Sequence, residues 1–147
     1  MKKNLLPAEF CGALLILLFG YTAISKGMHP DILRRALAGS PVTHNGAGII
    51  AWLIISAEVM IVLLLFFPGT RRIGLYASFG MLSLFTGYLL YMVLFAEKLP
   101  CGCGGVVSKL SWTQHIFFNL FFLLVNGFAL WQQNLVDCIR RKKIIHA

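Results

Sequence analysis

Two cysteines separated by one residue, Cys101 and Cys103, are the side chains whose type and spacing most directly suggest chemistry. They lie in residues 99–105, which read Leu-Pro-Cys-Gly-Cys-Gly-Gly. The glycines give this segment backbone freedom, whereas Pro100 restricts the backbone just before the first thiol. A disulfide between the cysteines would require the backbone to fold back at Gly102, so the bond should be strained. Strained, exposed disulfides are labile, and the pair therefore favours thiol–disulfide exchange over a structural bridge.

Two other roles for this pair stay open. Two thiolates can hold a soft ion such as Cu(I), and His115 could add a third ligand. A zinc site would need four ligands, which the sequence does not assemble around the pair, so we predict no zinc site, and the favoured redox role includes no metal. Alternatively, the cysteines have no chemistry of their own, or they bond to another chain.

The composition indicates an integral membrane protein. Of the 147 residues, 59% are hydrophobic and 12% are charged, whereas about a quarter of the residues of a soluble domain are charged. The mean hydropathy is +0.81. The net charge of +8 comes from basic residues that flank apolar runs, a pattern that reflects membrane topology and anionic lipids. We therefore expect the lipid bilayer, and not a nucleic acid, as the partner of these charges.

Four apolar segments are long enough to cross a bilayer. We predict an all-α, four-helix transmembrane bundle that forms one domain over residues 1–147, with spans at about 5–25, 47–67, 73–95 and 113–131. The first segment could instead be a signal peptide, with Lys2 and Lys3 as its basic start and residues 23–25 as a cleavage site.

Two further features of the spans and loops are expected to be structural. Residues 30–37 predict a short amphipathic helix in the first outer loop, although an ordinary connecting loop fits nearly as well. On the third span, Gly80, Ser83 and Gly87 share a face that would allow another helix to approach closely. Tyr88 and Tyr91 lie near the outer end of that span, where amphipathic rings are favoured.

The distribution of Lys and Arg predicts the orientation. Eight of these residues lie on the side of the termini and five on the other side, so the positive-inside rule puts both termini in the cytoplasm. The eight are Lys2, Lys3, Arg71, Arg72, Arg140, Arg141, Lys142 and Lys143, and the five are Lys26, Arg34, Arg35, Lys98 and Lys109. The Cys101–Cys103 loop then faces the periplasm, where disulfides persist. Cys11 and Cys138 lie near the inner face, too far away to pair with the outer cysteines.

A second set of candidate site residues is polar and lies within the spans. Glu58 is a carboxylate near the middle of the second span, with Ser83, Thr86, Asn119 and Asn126 as candidate partners by depth. His115, Asn119 and Asn126 share one face of the fourth span, below the cysteine loop. With Trp112 and Glu58, this face could form a quinone site or a proton relay. The alternatives are polar contacts between helices for the asparagines and an interfacial position for Trp112.

These residues resemble a known family. The four spans, the stretch from Gly20 to Lys26, Glu58 within the membrane and the Arg71-Arg72 turn are similar to DoxX-like membrane proteins. The Cys-Gly-Cys-Gly-Gly loop resembles the methylamine-utilisation MauE branch, with Trp112 and Asn119 following the loop in this chain. The resemblance implies a redox-associated protein of the bacterial inner membrane. Relatives are linked to maturation of methylamine dehydrogenase, whose disulfide-rich subunit must be oxidised in the periplasm beside a thioredoxin-like partner.

The combined prediction is a membrane thiol–disulfide redox protein. A thiolate of a periplasmic partner, either thioredoxin-like or disulfide-containing, would attack the Cys101–Cys103 disulfide, and electrons would pass to a quinone near Trp112 and His115. The alternative is a non-catalytic subunit or assembly factor that docks a periplasmic partner. Electron flow in the reverse direction also stays open.

Overall fold

A computed structural model describes residues 6–39, 43–95 and 112–145, with side chains for residues 9–39, 43–95 and 113–135. The described part of the chain is helical apart from short turns. Its α-helices are α1 (Leu6–Met28), α2 (Pro30–Ala38), α3 (Ala47–Phe66), α4 (Arg71–Phe95) and α5 (Trp112–Ile145), and a single 3₁₀ turn (His44–Gly46) precedes α3.

Four of the helical segments are long and apolar enough to cross a membrane, which confirms the predicted fold class. They are Glu9–Met28, His44–Phe66, Arg71–Phe95 and Thr113–Leu135. At about 1.5 Å per residue, twenty residues span about 30 Å, the thickness of the hydrocarbon core. The helix α5 continues well beyond the predicted end of its span, because charged residues end an apolar run without ending a helix.

The four long helices form a ring in which α1 contacts α3, α3 contacts α4, α4 contacts α5, and α5 closes on α1. Large apolar side chains such as Leu17, Ile49 and Phe95 are exposed on the outside of this ring. A bilayer solvates such a surface, so the bundle depends on close packing and polar contacts between helices rather than on burial from water.

The half of the ring that contains the start of α1 and the turn between α3 and α4 is called the inner half, after the predicted orientation, and the opposite half the outer half. The inner half is tightly packed. Its buried core consists of Cys11, Leu15, Phe19, Ile61, Leu65, Leu75, Leu82 and Ala129. The first apolar segment is therefore part of the folded bundle, since Leu15 and Phe19 on α1 are almost completely buried. Cys11 is a free, buried cysteine in this core, as expected for a small apolar side chain.

One glycine permits the close approach of α4 to α3. A Cβ atom on Gly74 would lie 2.9 Å from the backbone nitrogen of Leu65 and 3.0 Å from the backbone carbon of Leu64. The prediction that Gly80, Ser83 and Gly87 form such a contact is wrong within the chain. These three residues are exposed, and a Cβ on either glycine would meet nothing within 4 Å.

The turn between α3 and α4 fastens the inner ends of the helices. Arg71 lies 4.0 Å from the carboxylate of Glu9 on α1. Arg72 donates a hydrogen bond of 3.0 Å to the side-chain oxygen of Asn134 on α5. The Thr70 hydroxyl donates to the carbonyl of Leu64 at 3.0 Å, which closes the end of α3. The adjacent arginines therefore link α4 to α5, its neighbour in the ring, and to α1, which is not its neighbour.

The predicted amphipathic helix between the first two spans is confirmed as α2. Pro30 occupies its first turn, and Gly39 follows its last residue, as is usual for a short helix. Leu33 and Leu37 are buried with Ala47, Ala51 and Ile55 of α3. Asp31, Arg34 and Arg35 are exposed on the opposite side. The apolar face of α2 thus packs on the bundle and covers its outer end.

Candidate functional site

A buried ion pair joins α1 to α3 in the outer half of the bundle. The Lys26 ammonium donates to Oε1 of Glu58, and Glu58 is only 2% exposed. Side chains on a helix lean toward its N-terminus. Because α1 and α3 run in opposite directions, Lys26 reaches inward and Glu58 reaches outward, so the two meet inside the bundle.

The ammonium of Lys26 also lies 4.6 Å from the centre of the Phe85 ring on α4. A cation over an aromatic face is stabilised by the ring's quadrupole. Lys26 therefore contacts groups on two helices. Removing it would leave the Glu58 carboxylate without its counter-charge and the Phe85 ring without its cation.

Glu58 pairs with Lys26, and three of its four predicted partners bond elsewhere. Ser83 donates to the carbonyl of Phe79 at 2.8 Å, and Thr86 donates to the carbonyl of Leu82 at 2.7 Å. Both bonds stay within α4. The Asn126 side chain lies 2.7 Å from the Ser78 hydroxyl, so it serves as a polar contact between α5 and α4. Of the four candidates, Asn119 lines the same cavity as Glu58.

This cavity, with a volume of about 330 Å³, occupies the outer half of the bundle. It falls in the size range of small-molecule sites. Its walls come from all five α-helices and are mainly aliphatic and aromatic. The polar side chains that line it are Thr22, Lys26, Thr43, Glu58, Tyr88, His115 and Asn119. The cavity is therefore apolar with a small number of polar groups, as expected of a site for an amphipathic ligand.

Two polar atoms at the cavity have no hydrogen-bond partner among the described residues, namely Oε2 of Glu58 and the hydroxyl of Tyr88. Burying such a group without a partner costs free energy, so buried polar groups are nearly always bonded. Water or a ligand in the cavity would supply the missing partners. These two atoms are the strongest indication that the cavity holds a polar group.

Tyr88 faces the interior of the bundle. Its ring packs against the buried cluster formed by α2 and α3, and its hydroxyl is buried. Tyr91, one turn further along, is 37% exposed, and its ring centre lies 5.3 Å from that of Phe95. The two tyrosines thus have different environments although both lie near the outer end of α4.

The structure brings together three of the residues that the sequence selected, because Glu58, His115 and Asn119 all line the cavity. Asn119 is 6% exposed, and His115 is half-buried. Trp112 begins α5, but its side chain lies outside the described residues. Cys101 and Cys103 also lie outside them.

The two helix ends that flank the cysteine segment lie near the cavity. Residues 96–111 connect the end of α4 at Phe95 to the start of α5 at Trp112. His115 is about 5 Å along the axis from the start of α5, and Tyr88 is about 10 Å from the end of α4. Both ends of the connecting segment therefore lie within about two helical turns of residues that line the cavity.

Sequence reasoning missed four polar residues of the cavity, namely Thr22, Lys26, Thr43 and Tyr88. Lys26 was assigned to the outer loop because a lysine at the end of an apolar run usually points to the interface. Charge balance could have identified Lys26 from the sequence. A buried Glu58 needs a cation, and Lys26 is the basic residue nearest to the end of a span on the predicted outer side. Within the described side chains, no group of three or more His, Cys, Asp or Glu could hold a metal ion.

Comparison with known proteins identifies a family. Residues 4–132 match the family model described as methylamine utilisation protein MauE. The match extends from before α1 to within the last membrane-spanning segment, and it includes Cys101, Cys103 and every described residue of the cavity. No curated protein and no solved structure matches the chain. The wider relationship to DoxX-like proteins stays a prediction.

Proposed function

Since this multi-pass membrane protein belongs to the methylamine utilisation protein MauE family, we propose that it is an accessory protein of methylamine utilisation that forms or transfers disulfides in periplasmic proteins. The observation that carries the proposal is the cavity with its unpartnered Glu58 and Tyr88 oxygens. It lies near both ends of the segment that holds Cys101 and Cys103. A dithiol and a ligand site close together are the two parts that a membrane thiol oxidase requires.

The thiol chemistry is an exchange that conserves electrons. A thiolate of the partner protein attacks one sulfur of the Cys101–Cys103 disulfide, which breaks that bond and forms a mixed disulfide. The second thiolate of the partner attacks the mixed disulfide, so the partner leaves oxidised and Cys101 and Cys103 are left as two thiols. The partner has then lost two electrons and two protons, and this protein has gained them.

A quinone fits the cavity as the acceptor that restores the disulfide. Apolar walls suit its ring and the start of its tail, and Tyr88, His115, Asn119 and the Lys26–Glu58 pair provide polar contacts for its oxygens. A bound quinone would supply the capacity to accept two electrons and two protons. The chain's own residues hold the head group within the bundle and keep the ion pair away from bulk water.

The orientation in this proposal follows from the basic residues. With both termini in the cytoplasm of a bacterium, the cysteine segment lies on the periplasmic side of the inner membrane. A thioredoxin-like or disulfide-containing protein of the periplasm would be its partner. Such a protein brings its own thiols to the membrane surface, so the cysteine segment need not enter a partner's core.

Trapping the mixed disulfide tests the thiol function. We expect the Cys101→Ser and Cys103→Ser variants to lose turnover, and one of them to accumulate a mixed disulfide with a periplasmic protein. Alkylation of membranes should show that the wild-type pair is oxidised and that added quinone increases the oxidised fraction. Cys11→Ser is the matched control, because Cys11 lies in the inner core and its loss should leave the alkylation pattern of the outer pair unchanged.

Other results would favour the alternatives. Cysteine variants that support methylamine utilisation normally, in cells where deletion of residues 99–105 abolishes it, would refute thiol exchange and indicate a docking role. Copper that purifies with the protein and is lost with either cysteine would indicate a Cu(I) site instead. A pair that stays reduced, with or without quinone, would also contradict the proposal.

A further inference from the structure

We propose that the cavity binds a hydroquinone more tightly than the corresponding quinone, because Glu58 presents an acceptor that a hydroxyl of the ligand can satisfy and a carbonyl cannot. The inference rests on the proposed function in taking a quinone as the ligand class. It adds the redox form that the site prefers and the residue that sets the preference.

The first step concerns the free oxygen of Glu58. Lys26 donates to Oε1, while Oε2 is buried and has no hydrogen-bond partner among the described residues. A carboxylate in an ion pair accepts hydrogen bonds and does not donate them. Whatever group enters the cavity next to Oε2 must therefore bring an O–H or N–H.

The neighbouring hydroxyl of Thr22 does not fill this role. Thr22 lies close enough to Glu58 to interact with it, but its hydroxyl donates to the carbonyl of Phe19 at 3.1 Å. A hydroxyl has one hydrogen to donate. The bond that Thr22 makes lies within α1, and Oε2 has no partner within hydrogen-bond geometry among the described residues.

The second step concerns the other polar group without a partner. The hydroxyl of Tyr88 can donate to a carbonyl oxygen or accept from a hydroxyl, so it can bond to either redox form. The side chains of Asn119 and His115 can also act in both ways. Glu58 is different, because its carboxylate can accept a hydrogen bond from an O–H group but cannot bond to a carbonyl oxygen.

The two forms of the ligand present opposite groups to Oε2. A hydroquinone offers a hydroxyl hydrogen, which forms a charge-assisted bond with the carboxylate. A quinone offers a carbonyl oxygen, which leaves Oε2 unpartnered and places two acceptors side by side. We expect the hydroquinone to bind at least about tenfold more tightly.

This preference has a consequence for electron transfer. Tighter binding of the reduced form raises the reduction potential of the bound pair, by about 30 mV for each factor of ten in a two-electron reaction. The bound quinone then becomes a better oxidant for a dithiol than the same quinone in the bilayer. The buried Glu58 would in this way favour the direction of electron flow from Cys101 and Cys103 to the ligand.

The test measures binding without thiol chemistry. The full-length Cys101→Ser/Cys103→Ser protein is reconstituted in lipid nanodiscs, and a decyl-benzoquinone and its hydroquinone are titrated separately under anaerobic conditions by calorimetry. We expect the hydroquinone to bind at least about tenfold more tightly. Adding Glu58→Gln should reduce the ratio to within about twofold, because the amide offers a donor and an acceptor.

Two controls separate the role of Glu58 from general damage. Glu9→Gln removes a carboxylate that is largely exposed at the inner end, and it should leave the ratio unchanged. Tyr88→Phe should weaken both forms similarly and preserve the ratio, whereas Tyr91→Phe should weaken neither. If Glu58→Gln fails to fold, Lys26→Met/Glu58→Met removes both charges and should also abolish the preference.

The results distinguish this inference from the proposed function. Equal binding, tighter binding of the quinone, or a preference that survives Glu58→Gln would overturn the inference. Quinone-dependent oxidation of Cys101 and Cys103 would still support the thiol function in those cases. Failure of both forms to bind would refute the cavity as a quinone site. Conversely, a clear hydroquinone preference with unresponsive cysteines would refute only the thiol function.

Discussion

Replacing Lys26 with methionine is the most informative test of the structure itself. The substitution keeps a long, flexible side chain but removes the cation that contacts Glu58. Glu58 is 2% exposed, so its carboxylate would remain in the bundle without a counter-charge. The same change removes the ammonium from its position 4.6 Å from the centre of the Phe85 ring.

The size of the effect can be worked out from these contacts. Removing one partner of a buried ion pair typically costs about 3–5 kcal/mol. Loss of the contact with Phe85 adds about 0.5–2 kcal/mol. We therefore expect Lys26→Met to lower the free energy of unfolding by about 3.5–7 kcal/mol. Replacing both partners with apolar residues is often neutral, so Lys26→Met/Glu58→Met should recover most of this loss.

The assay is unfolding in mixed micelles, followed by circular dichroism as the denaturing detergent increases. Glu9→Gln is the matched control, because the Glu9 side chain is 56% exposed and its ion pair with Arg71 measures 4.0 Å. We expect that change to cost at most about 1 kcal/mol. A Lys26→Met protein as stable as the Glu9→Gln protein, or a double variant less stable than either single variant, would refute the buried pair.

Two further predictions concern packing in the inner half. Gly74→Ala should destabilise the protein by about 1–3 kcal/mol, because the new Cβ would lie 2.9 Å from the backbone nitrogen of Leu65. The control Gly80→Ala should not destabilise it, because a Cβ there meets nothing within 4 Å. Equal stabilities of the two variants in the same unfolding assay would contradict the close approach of α4 to α3. Asn126→Ala should cost about 1–2 kcal/mol, because it removes the contact with Ser78. Ser78→Ala should then cost little more when it is combined with Asn126→Ala, whereas additive losses in a double-mutant cycle would argue against the contact.

The inner and outer halves of the bundle differ in packing and in their roles. The inner half is filled by a continuous apolar core and is fastened by the arginines at the start of α4. The outer half contains the cavity and is covered by α2. The packed half gives the helices fixed positions, and the hollow half can then hold polar groups in place without collapsing around them.

The amino-acid sequence by itself determined the membrane architecture of this protein. The number and approximate limits of the spans follow from apolar length, because a bilayer imposes a minimum of about 20 residues on each crossing helix. The short helix α2 followed from its proline start and the spacing of its apolar residues. The unusual cost of a buried carboxylate also identified Glu58 as a residue that needs a partner.

Only the tertiary structure decided which residues satisfy that need. Lys26 and Glu58 are 32 positions apart in the chain, and hydropathy gives the depth of a residue but not the direction of its side chain around the helix axis. The same reason explains why Tyr88 was expected at the interface and lies at the cavity, and why the face of Gly80 was expected inside and lies outside. Rotation and tilt of each helix are set by packing against its neighbours, so the cavity in the outer half could be recognised only once the ring was assembled.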